Sequence, residues 1–217
     1  MRNVAIAILI LTSFSVQAFT VSVDSSYRKI SASSENSGFA QYDSETLDTY
    51  NTGAWNESVS AYTSGNSAGG DQNSNIGASG SYSLYEIGYD GSSDYSGWDN
   101  NTARSNISVT LTFDQGVYYT VSGGCGIGSI GSSSVGGSAL GGDGCTKGDG
   151  TFSGTGYLDA GTYTLLAGSS IGSGGASSGY SSSSFMVSYS TVPVPAAAWL
   201  FGSALAGLGW LRRKQTA

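Results

Sequence analysis

The chain of 217 residues carries 34 glycines and 42 serines but two prolines and no histidine, and its 15 carboxylates outnumber eight cations to give a net charge of −7. The missing histidine excludes Ser-His-Asp and Cys-His catalysis, the H-E-x-x-H zinc site and ordinary haem ligation, and the scarcity of proline without a triplet period excludes collagen. With 39% hydrophobic, 12% aromatic and 11% charged residues the chain is too apolar for wholesale disorder, so a folded, glycine-punctuated domain is expected.

Met1-Arg2-Asn3 leads into the apolar run Val4 to Leu11, which continues through Phe14 to Val16-Gln17-Ala18. This predicts a secretory signal peptide over residues 1–18, cut between Ala18 and Phe19, with Val16 and Ala18 in the peptidase's two specificity positions. No cysteine follows the cut, which disfavours a lipid anchor. Residues 19–191 then form the predicted exported domain, where all 15 carboxylates face only Arg28, Lys29, Arg104 and Lys147, a net charge of −11. That balance excludes nucleic acid binding on a basic face.

Weak strand signals occur at Thr20 to Asp24, Ser58 to Tyr62 and Ser81 to Tyr89. The strongest is Ile107-Ser-Val-Thr-Leu-Thr-Phe113, whose alternation sets Ile107, Val109, Leu111 and Phe113 on one face of a half-buried strand. Asp114-Gln115-Gly116 followed by Val117 to Val121 predicts a bulged hairpin. Tyr157-Leu158, Asp159-Ala160-Gly161 and Thr162 to Ala167 predict a second hairpin, and Phe185, Val187 and Tyr189 mark a final strand. Two low-complexity stretches, Gly123 to Gly150 and Gly168 to Ser184, are expected to be long loops, because Gly/Ser chain buries little apolar surface against its ordering entropy. The first holds both cysteines, and an exported domain with two predicts a Cys125–Cys145 disulfide. Short strands, Gly/Ser/Asn/Asp turns and no 3.6-residue apolar period predict an all-β, antiparallel sandwich or jelly roll with Gly/Ser-rich loops.

The C-terminal residues 192–217 open with Val192-Pro193-Val194-Pro195-Ala196, continue as the apolar block Ala196 to Leu211, and close on Arg212-Arg213-Lys214. Counted from Val192 the block has 20 residues. At ~1.5 Å rise each these reach about 30 Å, so a transmembrane helix over 196–211 with a cytoplasmic basic stop at 212–214 is expected. VPVPAAAWLFGSALAGLGWLRRK resembles the VPLPA-CTERM variant of the PEP-CTERM sorting signals of Gram-negative bacteria, departing from it at Val194, where leucine is usual. The resemblance covers about 26 residues of the tail. It implies an exosortase as processing partner, removal or exchange of the tail, and a destination at the cell surface or in an exopolysaccharide matrix, with the membrane engaged at least transiently. Leu158-Asp-Ala-Gly-Thr-Tyr-Thr-Leu165 also resembles the penultimate strand of β-sandwich domains often found with such tails.

Candidate chemistry is sparse. Gly126 to Gly131 spells G-x-G-x-x-G, but the glycines that follow break the helix a dinucleotide site needs. Asp90, Asp94 and Asp99 are weak calcium candidates, outside any EF-hand or nonapeptide pattern. Trp55 and Trp98 are candidate stacking platforms for sugar rings, alongside 14 tyrosines. Glu35, Glu45, Glu57 and Glu86 offer carboxylates to a glycosidase, though no spacing selects a pair. No cofactor is implied. The expected function is an exosortase-sorted structural protein of the surface or matrix, followed by an exopolysaccharide-binding module and, third, a carboxylate glycosidase.

Overall fold

A computed structural model describes residues 19–191 except 37, 39–40, 79–83, 98–99, 129–130, 147–149 and 173–177. The predicted signal peptide, the sorting motif, the transmembrane helix and the basic stop lie outside the described residues. Among the described residues no helix is long and apolar enough to cross a membrane.

Among the described residues twelve strands run in chain order: β1 (Val21–Asn36), β2 (Gln41–Thr49), β3 (Gly53–Thr63), β4 (Asn66–Ala78), β5 (Leu84–Ser96), β6 (Thr102–Phe113), β7 (Val117–Ile127), β8 (Ser132–Gly136), β9 (Cys145–Thr146), β10 (Gly150–Leu158), β11 (Gly161–Gly172) and β12 (Ser178–Thr191). They form a β-sandwich of two six-stranded antiparallel sheets, β2-β1-β6-β11-β8-β9 and β10-β7-β12-β5-β4-β3. The predicted strands overlap β1, β3, β5, β6, β7, β10, β11 and β12, with Thr20 just before β1 and residues 81–83 outside the described residues. Burial alternates along β6, with Ile107, Val109, Leu111 and Phe113 inward as their spacing requires.

Neither predicted hairpin forms. β6 pairs with β1 and β11 in one sheet, whereas β7 pairs with β10 and β12 in the other, so Asp114–Gly116 crosses the sandwich. The bulged hairpin needed a left-handed glycine at 116, and Gly116 is not among the positive-φ glycines. Asp114 instead ties the corner to the start of β1, accepting at Oδ1 from Thr20 N (2.9 Å) while its own amide donates to Thr20 O (3.3 Å). Asp159 to Gly161 likewise links strands of opposite sheets. Consecutive strands do pair as β1/β2, β3/β4 and β4/β5, and β3 turns into β4 through Ser64-Gly65, with Gly65 at φ 80°.

The two expected long loops are largely sheet. Gly123 to Gly150 contains the end of β7, all of β8 and β9, and the 3-10 turn Ser138–Leu140, whose Ala139 and Leu140 are fully buried. Gly168 to Ser184 is mostly β11 and β12. The physical reason lies in the core, which is two apolar clusters separated along the strands by small polar residues. The larger holds Ile87, Tyr89, Val109, Phe113, Leu140, Leu165 and Tyr189, and the smaller Ile30, Val59, Tyr95, Ala103 and Ile171. Between them the inward positions are Gln72 and Ser74 on β4, Ser93 on β5, Ser105 on β6, Ser169 on β11 and Ser181 and Ser183 on β12, all buried. Hydrogen bonds run through this belt: between the sheets Ser93 Oγ lies 3.0 Å from Ser169 Oγ and Tyr89 OH donates to the Ser105 backbone carbonyl (3.0 Å), while within β4 Gln72 Nε2 donates to Ser74 Oγ (3.2 Å). A Cβ at Gly91 would collide with the Tyr89 phenol. Small side chains here let the sheets approach with little rotamer entropy lost, and hydrogen bonds offset the desolvation of the belt except at Ser183, whose buried Oγ has no hydrogen-bond partner among the described residues.

The Cys125–Cys145 disulfide forms, with both residues buried in the larger cluster. It secures the glycine-rich segment together with two tyrosines: Tyr189 OH donates to Ala139 O (3.0 Å) and Tyr119 OH to Asp143 Oδ2 (2.9 Å).

Candidate functional site

β2 and β3 are edge strands of opposite sheets, brought face to face by the crossing at Tyr50–Thr52. Buried Arg28 braces that crossing, its Nη2 donating to Asn51 O (2.9 Å) and Gly53 O (2.8 Å), and Ser26 Oγ donates to Tyr50 O (2.7 Å). Burial lowers the Arg28 pKa, and backbone carbonyls receive its charge in place of a carboxylate. Across the gap the side chains of β2 serve the outward amides of β3 and the turn after it with period two: Gln41 Oε1 accepts from Ser64 N (2.9 Å), Asp43 Oδ2 from Tyr62 N (2.8 Å) and Glu45 Oε2 from Ser60 N (3.0 Å). Unpaired strand edges template association, and these three acceptors block this one.

The same alternation turns Tyr42 and Tyr62 outward, 70% and 66% exposed. They line an open hollow of about 660 Å³ with Gln41, Asp43, Thr63 and Ser64. Tyr62 also borders a hollow of about 310 Å³ on the outer face of its sheet, beside Ser58, Ser60, Asp71 and Asp94. Tyr42 borders one of about 320 Å³ on the other sheet, beside Lys29, Ser31, Ser33 and Arg104. Two exposed rings thus connect three polar hollows around the β2–β3 side of the sandwich, a surface suited to stacking against a sugar and bonding its hydroxyls.

The predicted site residues fare differently. Trp55 is half-buried against the smaller core cluster with Leu47, so its ring serves packing, while Trp98 lies outside the described residues. Asp90 and Asp94 both face outward on β5, four residues or ~13 Å apart along the strand, too far for one calcium with ~2.5 Å bonds. Asp99 lies outside the described residues, and among those described no group of three or more His, Cys, Asp or Glu could hold a metal. Burial and the nearby Asp71 raise the Asp94 pKa; a Cβ at Gly69 would stand 2.6 Å from its Oδ1. Glu35, Glu45, Glu57 and Glu86 sit on four different strands and line none of the three hollows. Gly126 to Gly131 is followed by strand β8 where a dinucleotide site has its helix. Sequence reasoning did not single out Tyr42 or Tyr62. The available signal was Gln41-Tyr-Asp-Ser-Glu45, where acceptors alternate with an outward ring.

The chain matches no protein-family model, no curated protein and no solved structure.

Proposed function

We propose that this chain is an exported structural protein of the cell surface or extracellular matrix. In this reading residues 1–18 direct export and 19–191 form the delivered sandwich. The VPxPA-type signal at 192–217 presents the chain to an exosortase, with 196–211 held in the membrane until processing. The observation that carries the reading is the Cys125–Cys145 disulfide, buried in the core and closing the segment that contains Leu140. Structural disulfides belong to oxidising compartments outside the cytosol. Phe19, the residue after the expected cut, supports it as well, because its side chain is buried in the larger cluster. The test is fractionation of producing cells with and without their exosortase. Surface delivery should depend on the enzyme, and equal delivery in its absence would refute the sorting assignment.

A second reading, a carbohydrate-binding module for exopolysaccharide, draws on the Tyr42 and Tyr62 rings and the polar hollows they join. Tyr42→Ala and Tyr62→Ala should each weaken retention on the matrix polysaccharide, and full retention by both would remove it. A carboxylate glycosidase gains no support from the placement of the four glutamates.

A further inference from the structure

Lys29 and Arg104 share the hollow of about 320 Å³ on the outer face of the β1–β2–β6 sheet. In the β1/β6 register Lys29 faces Asn106 and Ser31 faces Arg104, which makes the two cations diagonal neighbours with Cβ atoms ~7–8 Å apart. Like charges so placed repel, and the domain carries 15 carboxylates that could have neutralised them. Among the described residues neither side chain forms an ion pair or hydrogen bond, although Asp48 on β2 faces Lys29 in register and Glu35 lies further along the same face of β1. The floor and walls are hydroxyls and an amide: Ser31, Ser33, Ser44, Thr46, Thr102 and Asn106. Glycine enlarges it, since a Cβ at Gly168 would collide with the Asn106 side-chain oxygen.

We infer that this face binds a polysaccharide bearing carboxylates, a uronic acid polymer. Arg104 is exposed, and its planar fork matches a carboxylate bidentately; Lys29 supplies a second positive point for the next acidic sugar. The surrounding hydroxyls and amide suit the hydroxyls of a pyranose rather than the side chains of an acidic peptide. Tyr42 borders both this hollow and the larger one, so a chain lying across the cations continues onto an exposed ring. A net charge of −11 repels any polyanion at long range, so retention requires local contact with the pair. The inference rests on the carbohydrate-binding reading and names its ligand.

The test is affinity electrophoresis of the full-length chain in mild detergent, through gels containing alginate, neutral dextran or poly-L-glutamate. Alginate should retard the wild type, the double variant Lys29→Gln/Arg104→Gln should lose at least ~10-fold in apparent affinity, and Arg104→Lys should lose part of it, since lysine cannot bind bidentately. Both side chains sit on the outer face, and unchanged thermal unfolding verifies that the variants fold. Equal retardation of the double variant, or of the wild type by dextran alone, overturns the inference and leaves the carbohydrate reading standing. Retardation by poly-L-glutamate alone makes the face a peptide site and also overturns it. No retardation in any gel overturns both.

Discussion

Leu140→Ala probes whether the glycine-rich segment belongs to the core. Composition would place Leu140 in a solvated loop, where its truncation changes stability by a few tenths of a kcal/mol. In the structure it is fully buried in the larger cluster, on a 3-10 turn flanked by Gly137 at φ 122° and Gly141 at φ 59°. Leu140 N bonds Gly137 O, Tyr189 OH holds Ala139 O, and the disulfide fixes Cys145 five residues on, so the turn cannot collapse into the space left by the lost carbons. Transfer and cavity terms together give about 3 kcal/mol, within the ~2–5 kcal/mol of buried leucine truncations. For a domain of this size that is a fall of ~6–12 °C in Tm, read by circular dichroism. Leu166→Ala is the control, because Leu166 is 50% exposed on β11 and its truncation should cost under ~1 kcal/mol. If the two variants lose similar stability, the segment is not part of the core and the explanation of its folding is wrong.

Replacing both Cys125 and Cys145 with serine opens a cross-link of sequence separation 20. In the chain-entropy estimate this removes about 3 kcal/mol, and denaturant unfolding of the variant should show it; an unchanged midpoint would contradict the assignment of the bond as structural. Asp43→Ala/Glu45→Ala strips two acceptors from the β3 edge. Light scattering should then rise with concentration and the Ser60 and Tyr62 amides should exchange faster, whereas Asp43→Asn/Glu45→Gln keeps an acceptor oxygen and the wild-type behaviour. Scattering that does not distinguish the pairs would remove edge protection as their role. Burial raises the phenol pKa of Tyr85 to about 12 and also pushes up those of Tyr89, Tyr119 and Tyr189, with Asp143 adding to the rise at Tyr119. The folded state therefore holds these protons more tightly than the unfolded chain, so their contribution is intact below pH ~10 and falls as pH rises from there through 12. A flat Tm between pH 9 and 12 would refute this.

How far the sequence was legible depended on which core each strand faces. β6 reads plainly because its inward positions are Ile107, Val109, Leu111 and Phe113 in the larger apolar cluster. β4 does not, because its inward positions are Ala68, Gly70, Gln72, Ser74 and Ile76, and the middle of that series faces the serine belt. Apolar periodicity cannot reveal a strand whose partner surface is polar, which is also why the glycine and serine tracts of β8, β11 and β12 resembled loops. The short turns at 114–116 and 159–161 carried the right residues for a reversal, but local chemistry does not specify whether the next strand returns beside its predecessor or crosses to the facing sheet. The disulfide followed from the cysteine count and the expected export. Of the proposed glycan surface, aromatic rings could be named as stacking candidates, but not which rings are free: Trp55 went to packing, while Tyr42 and Tyr62 stayed exposed. Lys29 and Arg104 are 75 positions apart in the chain, and only the β1/β6 register makes them neighbours.

The central claim, that this sandwich is cargo carried between two removable ends, is tested most directly by intact-mass and terminal-peptide spectrometry of the protein extracted from the cell surface. The account expects a chain beginning at Phe19 and ending near Pro193 to Pro195. A surface form that still carries residues 1–18, or one that keeps Arg212 to Lys214 in a membrane fraction, would contradict it.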